Sequence, residues 1–501
     1  MLSYVLIITQ WICLLFFIGI NLGYFFLMII ALFALPRYSE RQVLLRDLPH
    51  LHTDFGLPIS LIVAALNEEA IIVPSVRSLL QLDYSEYEVV IVNDGSKDNT
   101  LEVLKKEFSL VPQPVAIRHR LDHRPVRGVY QSTVYPQLRV IDKENGGCKA
   151  DALNAGIDAS RYSLICPLDA DTVLNPDALL LLAQPFMEDP RTIAAGGSVR
   201  IANGCDVSEG VLQSIGLPRN LLALFQVMEY LRAFLLARVG WSAIQALSIV
   251  SGALGMFHKE SVVAVGGYNL ETHGEDSELI LRLHLHFSSE GKPYRITYVP
   301  DAECWTEAPE TLKILRRQRV RWHRGFMESL WLNRRLFFHP KNRVMGFFSM
   351  PFQFFFEGLG PVIEVCGYGV SVICYSLGLL STEAFVSFLL LVLGLGFLFS
   401  VTSLLLEEMV FHTYRNTRNL FILFAAAVLE NFGYRQITSI WRLEALILWV
   451  FKIELKWGVI TRNASLQAEQ QTDAVTSKTL PPAPVNLDVA SRTTKEKVTS
   501  L

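Results

Sequence analysis

Residues 1–36 contain no Asp, Glu, Lys or Arg. A bilayer core takes about 20 apolar residues per helix. The run is too long for a signal-peptide core and lacks a basic start. It reads as one retained, tilted membrane span. Arg37, Arg41 and Arg46 follow it, and the positive-inside tendency assigns the chain from residue 37 onward to the cytosol. The chain turns apolar again after about residue 345. Residues 345–355 read as an interfacial helix, and 358–380 and 384–406 as spans. Residues 412–418 form a short basic loop on the cytosolic side. Residues 420–434 are a third, shorter apolar run interrupted by Glu430, and 443–451 look interfacial. Three or four C-terminal spans are expected. These regions account for a chain that is 51% hydrophobic and only 19% charged, where soluble chains carry roughly 25% charge. Residues 464–501 lack aromatics and are rich in Thr, Ser, Pro and charge, so disorder is expected there.

Between the apolar ends, residues 57 to about 310 read as a soluble α/β domain. Residues 58–65, 87–92 and 162–168 are strand-like, and 68–82 form an amphipathic helical run. Strands joined by crossover helices imply a mostly parallel sheet with helices on both faces. Such sheets bind ligands beyond the carboxyl ends of their strands. Residues 221–247 are apolar but carry Glu229, Arg232 and Arg238. An amphipathic helix on the membrane surface and a core helix of the soluble domain fit this run equally. The organisation expected is a span over 1–36, a cytosolic domain over 37–340, membrane and interfacial helices over 341–462, and a tail over 463–501. Net charge is −3, which argues against an electrostatic nucleic-acid binder. The seven cysteines form no C-x-x-C pair, and no Cys/His run has zinc spacing. Such scatter suits a reducing cytosol or a membrane core rather than a disulfide framework.

The acidic clusters fall where these strands end. Asn93-Asp94-Gly95-Ser96 puts a carboxylate at the sheet edge, able to accept from a ribose hydroxyl or a base imide. The same residues make a good turn followed by a helix cap. Asp169 and Asp171 are an Asp-x-Asp after an apolar run. Two carboxylates so spaced can share one Mg²⁺ or Mn²⁺ ion, which offsets charge on a departing diphosphate. Glu275 and Asp276 open a helical run over 277–286. They suit the helix dipole, and Asp276 is the candidate general base for an acceptor hydroxyl. Gln318, Arg321 and Trp322 stand at i, i+3 and i+4, on one face if 311–324 is helical. The surrounding run Arg316 to Arg324 is densely basic. It fits either a clamp on diphosphate or a helix that binds anionic lipid headgroups.

Taken in order, these pieces resemble the inverting GT-A glycosyltransferases of the cellulose synthase, hyaluronan synthase and poly-N-acetylglucosamine synthase group. The matching stretches are Val63-Ala64-Ala65-Leu66-Asn67-Glu68, Asn93-Asp94-Gly95-Ser96, Gly146-Gly147-Cys148-Lys149-Ala150-Asp151-Ala152-Leu153-Asn154, Asp169-Ala170-Asp171, Gly274-Glu275-Asp276 and Gln318 to Trp322. Trp457-Gly458 with Arg462 resembles the amphipathic ending of bacterial members. The likeness implies a Rossmann-like GT-A domain flanked by transmembrane helices. It implies Asn67, Glu68, Asp94, Lys149 and Asp169 on the nucleotide-sugar, and Asp169 with Asp171 on a Mg²⁺ or Mn²⁺ ion. Asp276 would be the base, and Glu275, Gln318, Arg321 and Trp322 would shape the acceptor and diphosphate pocket. Departures are Ala64 and Leu66, where the family often has Pro and an aromatic. Cys148 separates the glycine pair from Lys149, and Gly274 replaces a common Thr.

The implied function is sugar transfer with inversion from a nucleotide-sugar, most simply a UDP-sugar, to a growing β-linked polysaccharide exported through the membrane. The alternative is non-processive transfer to a lipid or polyprenyl-phosphate acceptor. Implied partners are the donor, a glycan or lipid acceptor, membrane lipids and accessory membrane subunits, with no nucleic acid. The implied location is the plasma or inner membrane, multi-pass, with the catalytic domain cytosolic.

Overall fold

A computed structural model of the chain describes residues 2–46, 56–208 and 210–453. In order, the elements of the first two thirds are α1 (Leu2–Arg46), β1 (Ile59–Ala65), α2 (Ile72–Leu80), β2 (Tyr87–Asn93), α3 (Thr100–Glu107), β3 (Leu110–Pro112), β4 (Val126–Ser132), β5 (Leu138–Lys143), α4 (Lys149–Ala159), β6 (Leu164–Asp169), β7 (Val173–Leu174), α5 (Ala178–Glu188), β8 (Thr192–Ile201), β9 (Asp206–Ser208), β10 (Val211–Ser214), α6 (Leu221–Leu231), α7 (Val239–Ala243), β11 (Gly255–His258), α8 (Lys259–Ala264), α9 (Glu275–Glu290), β12 (Arg295–Thr306) and α10 (Leu312–Leu332).

Ten strands form one sheet in the order β3-β4-β5-β2-β1-β6-β11-β8-β12-β7. The central block β5-β2-β1-β6 is parallel, as is β8 beside β12, and the remaining pairs are antiparallel. The parallel character read from the sequence therefore lives in the middle of the sheet. Its strands are buried on both faces, which is why β1 reads Ile-Ser-Leu-Ile-Val-Ala-Ala without alternation. Strand order reverses on the two sides of β1: β2 and β5 lie one way, β6 the other. The crevice beyond the ends of β1, β2 and β6 is the switch point at which such sheets bind ligands.

Helix α1 runs past Pro36 to Arg46, beyond the expected end of the first span. Its Leu27, Ala31 and Leu35 recur every four residues and are fully buried. Its far end docks on the soluble domain. Tyr38 Oη donates to Asp301, Gln42 Nε2 reaches Gln184 Oε1 at 3.1 Å, and Arg41 pairs with Glu188 at 2.8 Å. Residues 221–243 form α6, a π-helical stretch over Arg232–Arg238 and α7. This rod packs against β8 on one side and α1 on the other. It is at once a core helix of the sheet domain and the layer on which the apolar helices rest.

The C-terminal helices are α11 (Met350–Phe352), α12 (Gly360–Ser376), α13 (Thr382–Val410), α14 (Thr417–Leu429) and α15 (Tyr434–Val450), with π-helical turns over Val344–Ser349 and Gln353–Gly358. Among the described residues, Ile8–Gln42 and Thr382–Val410 are long and apolar enough to cross a membrane. Two bent pairs add to them if each is one span: Val344–Gly358 with Gly360–Ser376, bent 42°, and Thr417–Leu429 with Tyr434–Val450, bent 56°. The C-terminal region thus holds α13 and two bent pairs, which make three spans if each bent pair is one, the lower of the two expected numbers. The breaks have local causes. Pro361 opens α12 and cannot donate to the preceding turn, and Gly433 before α15 takes φ +97°. The expected tail and the Trp457-Gly458 and Arg462 ending lie outside the described residues.

Buried ion pairs join the sheet to these helices. Arg200 of β8 donates to Glu303 of β12 at 2.6 and 2.8 Å and to Glu407 of α13 at 2.7 Å. All three are at least nine-tenths buried. Removing the only cation leaves two uncompensated buried carboxylates, which typically costs about 3–5 kcal/mol. Arg200→Leu should therefore lower the thermal unfolding midpoint in detergent markedly. Arg77→Ala, which breaks the exposed pair with Glu107, should cost under about 1 kcal/mol. Equal midpoints for the two variants would contradict the assignment.

Candidate active site

The loops after β1 and β2 are latched to each other. Asn67, at φ +57°, receives Lys97 N on Oδ1 at 2.8 Å and donates its own amide to Ser96 Oγ at 3.0 Å. Glu68 N reaches Thr100 Oγ1 at 3.0 Å. Asn is one of few residues that tolerate this left-handed backbone. The side-chain oxygen of Asn67, expected on the nucleotide-sugar, is thus engaged in shaping the rim.

Asp94 ends this rim from below. It is 4% exposed and accepts from Lys143 Nζ at 2.6 Å and from Gly146 N at 3.1 Å. Lys143 also pairs with Asp151 and is completely buried. Gly95, at φ +64°, carries no side chain because a Cβ there would lie 2.8 Å from Asn145 N. Lys143 drew no attention in the sequence. Its signal was a lysine ending a buried strand, a place where an unpaired ammonium is untenable.

The second cluster centres on Lys149, the first residue of α4. Its Nζ lies 2.6 Å from Asp169 Oδ1 and 3.2 Å from the Gly252 carbonyl. The amide of the same Gly252 donates to Asp276 Oδ2 at 3.0 Å. One residue of the loop before β11 therefore bridges lysine and carboxylate. A Cβ on Gly252 would overlap both carboxylate oxygens of Asp276. Asp276 sits in the first turn of α9 beside Glu275. Its Oδ1 is sealed from solvent and has no hydrogen-bond partner. Burial and then the neighbouring Glu275 push its carboxyl up to about 7, against the pull of Lys149. Burial works against the Lys149 ammonium, but Asp169, Asp276 and Glu275 together hold it protonated, above the ordinary lysine value. Asp169 is two-fifths exposed, and Asp171 follows in the turn between β6 and β7.

Helix α10 meets this cluster through backbone. Thr311 caps it, and Gly325 lies against Gly274, the residue before Glu275. A Cβ on Gly325 would stand 2.5 Å from Gly274 N, and one on Gly274 would stand 2.6 Å from Gly325 C. That close crossing leaves no room for a side chain at position 274. Ser329 Oγ adds a bond to the Gly274 carbonyl at 3.0 Å. Gln318 keeps a buried Oε1 without a partner. Trp322 is 39% exposed and carries the Arg319 guanidinium 4.6 Å over its ring. Three of the five arginines in the basic run are committed to protein carboxylates: Arg316 to Glu444, Arg319 to Glu229 and Arg324 to Glu328. The structure thus gathers Lys149, Asp169, Glu275 and Asp276 around Gly252, with Asp94 on its own lysine. Gln318, Arg321 and Trp322 lie on the adjoining helix.

Two family models match the chain. One, glycosyl transferase family 2, covers residues 60–232, and the other, glycosyl transferase family group 2, covers residues 164–429. Poly-beta-1,6-N-acetyl-D-glucosamine synthase of Staphylococcus aureus (strain COL) is 32% identical over 294 residues, 59% of each chain. The protein of that name from Staphylococcus epidermidis is 30% identical over 272 residues, 54% of this chain and 55% of its own. The chain thus spans a little over half the length of the curated relatives it matches. Among solved structures, a mannosyltransferase from Pyrobaculum calidifontis in complex with GDP-Man and Mn²⁺ aligns over 87% of this chain and all of its own, with TM-score 0.46 and 16% identity. The chain belongs to glycosyl transferase family group 2, with an α/β domain of the GT-A type and apolar helices at both ends.

The Gly274–Gly325 crossing is testable. Gly325→Ala should destabilise the protein by about 1–3 kcal/mol, because the added methyl meets backbone that cannot rotate away. Gly369→Ala, where a Cβ meets nothing within 4 Å, should leave the thermal midpoint unchanged. Indistinguishable midpoints would show that the helices do not touch there.

Proposed function

We propose that this member of glycosyl transferase family group 2 moves a sugar from a nucleotide-sugar to a growing β-linked polysaccharide, inverting the anomeric centre in one displacement. The observation that carries the reading is Asp276 Oδ1. It is a buried carboxylate oxygen without a donor, beside a lysine–aspartate pair at the switch point of the sheet. An acceptor hydroxyl placed there gives its proton to Asp276 as its oxygen attacks the anomeric carbon. Lys149 faces the donor side and meets negative charge as the diphosphate departs. Asp94 and the latched rim of Asn67 and Glu68 border the nucleotide. Gln318, Arg321 and Trp322 border the acceptor, with one face of Trp322 already covered by Arg319. The names of the relatives point to N-acetylglucosamine as the sugar and to a β-1,6 linkage.

Asp169 and Asp171 suit a divalent cation: both are carboxylates at a strand end, and Asp169 is open to a phosphate oxygen. They would hold Mg²⁺ or Mn²⁺, which when bound offsets charge on the departing diphosphate. In this reading the sheet domain is cytosolic and the apolar helices make a multi-pass anchor in the plasma membrane. Glycan and donor are then the partners, with lipids and accessory subunits around the helices.

The deciding experiment incubates the purified full chain in lipid with a panel of sugar nucleotides and measures nucleotide release and product mass. Long homopolymers are expected. Discrete single-sugar lipids would replace the synthase reading with non-processive transfer. Asp276→Asn should cut turnover by about 100- to 10,000-fold while donor binding stays near wild type. Because burial raises Asp276 to about 7, it is a base above that pH and a neutral acid below. Turnover should fall as pH drops through about 7, and a flat acid limb would remove Asp276 from that role. Excess chelator should abolish transfer, and added Mg²⁺ or Mn²⁺ should restore it. Full activity in chelator would remove the metal from Asp169 and Asp171.

A further inference from the structure

Away from the acidic edge, the 13-residue connection between β3 and β4 folds back onto the last turn of α4. There His119, His123 and Asp158 bring one ligand atom each within 4.8 Å of one another. His119 Nδ1 and His123 Nε2 are 3.2 Å apart, and His123 Nε2 is 3.5 Å from Asp158 Oδ2. Two nitrogens bound tetrahedrally at the usual Zn–N distance of about 2.0–2.1 Å would be about 3.3–3.4 Å apart.

The surroundings prepare the three groups for a cation. His123 Nδ1 faces the Arg124 carbonyl at 2.8 Å. A carbonyl only accepts, so Nδ1 carries a proton, and Nε2, which faces His119 and Asp158, is the nitrogen placed to bind a cation. The Asp158 side chain is fully buried. Its Oδ2 receives the amides of Arg120 and Leu121 at 2.8 and 2.9 Å, while its Oδ1 has no partner at all. A fully buried carboxylate with one oxygen short of a donor, set against two facing imidazole nitrogens, is suited to hold a cation. The loop is also held in place without one. Arg120 forks onto Glu260 at 2.7 Å through both terminal nitrogens, and Asn154 Nδ2 donates to the Asp122 carbonyl at 3.0 Å. His119 is exposed and borders a cleft of about 400 Å³ shared with His123 and Arg127, which leaves a fourth position open to water.

We propose that His119, His123 and Asp158 form a transition-metal site, selective for Zn²⁺ over Mg²⁺. Two imidazoles and one carboxylate are zinc chemistry, whereas the Asp-x-Asp edge offers only hard oxygen ligands. The site differs from the family's donor metal in place and in ligand type. Bound zinc pins the β3–β4 connection to α4, the helix that begins with Lys149. The next residue of the loop, Arg124, donates its amide to Asp151, which shares Lys143 with Asp94. Occupancy therefore stiffens one wall of the donor pocket without entering it.

The test uses the untagged full chain in detergent, stripped with chelator and then titrated with ZnCl₂ in excess Mg²⁺. One zinc per chain is expected, together with a rise in the thermal midpoint. His119→Ala and His123→Ala should each lose the bound zinc and the midpoint rise, whereas Asp169→Asn should keep both. Co²⁺ in place of zinc should give the visible absorption of a four-coordinate ion in wild type and none in His119→Ala, a change at an exposed residue. Absence of tight zinc in wild type, or equal zinc content in wild type and both histidine variants, would overturn the site.

Discussion

Two ammonium groups make the acidic edge of this sheet possible. Lys143 is buried between Asp94 and Asp151, and Lys149 is the cation of Asp169, Glu275 and Asp276. Like charges so close would otherwise protonate or push apart. The two lysines satisfy their neighbours unequally. Asp94 receives a lysine at 2.6 Å and a backbone amide. Asp276 receives one amide, from Gly252, and faces Lys149 only across that residue. That inequality separates a carboxylate that serves as a fixed wall from one poised near neutrality. Gly252 supplies one amide to Asp276 Oδ2 and leaves Oδ1 without a donor.

The same device, a cation from one layer meeting a carboxylate from another, joins the soluble domain to the apolar helices. Arg200 of the sheet pairs with Glu407 of α13, Arg232 of the π-helical stretch with Glu430 after α14, and Arg319 of α10 with Glu229 of α6. Tyr434 at the head of α15 joins the last of these through Glu229 at 2.7 Å. Charges in helices of this kind are expensive unless paired. Each pair therefore fixes where an apolar helix meets the domain, something greasy surface alone leaves free to slide.

The central sheet was legible because strands buried on both faces are continuous apolar runs, and β1, β2 and β6 stand within two residues of their expected bounds. Asp94, Asp169 and Asp276 were legible because each ends a strand or begins a helix beside glycine. Residues that act by position alone were not. Gly252 sits in a loop with no motif, Lys143 belongs to no expected strand, and Glu407 lies just past the expected 384–406 span. His119 and His123 stand four apart and drew no zinc reading, because the third group, Asp158, lies 35 residues on and only α4 brings it back. The breaks at Pro361 and Gly433 were missed for a different reason. Hydropathy averages over a window and does not register where backbone bonds are lost.

The basic run of α10 reads differently once its partners are known. Five arginines in nine residues suggested a surface for phosphates, whether on a donor or on lipid. Arg316, Arg319 and Arg324 are instead ribs that hold α10 against α15, α6 and its own next turn. His323 continues this role, facing the Gly358 carbonyl at 3.1 Å and Arg442 of α15 at 3.3 Å. The helix is therefore fixed along its length by the apolar layer while Gly325 presses on the residue before Glu275 and Asp276. A shift of the C-terminal helices would be carried to Asp276 through backbone contact, with no flexible side chain between to absorb it. Arg316, Arg319 and Arg324 thus supply position to this helix as well as charge.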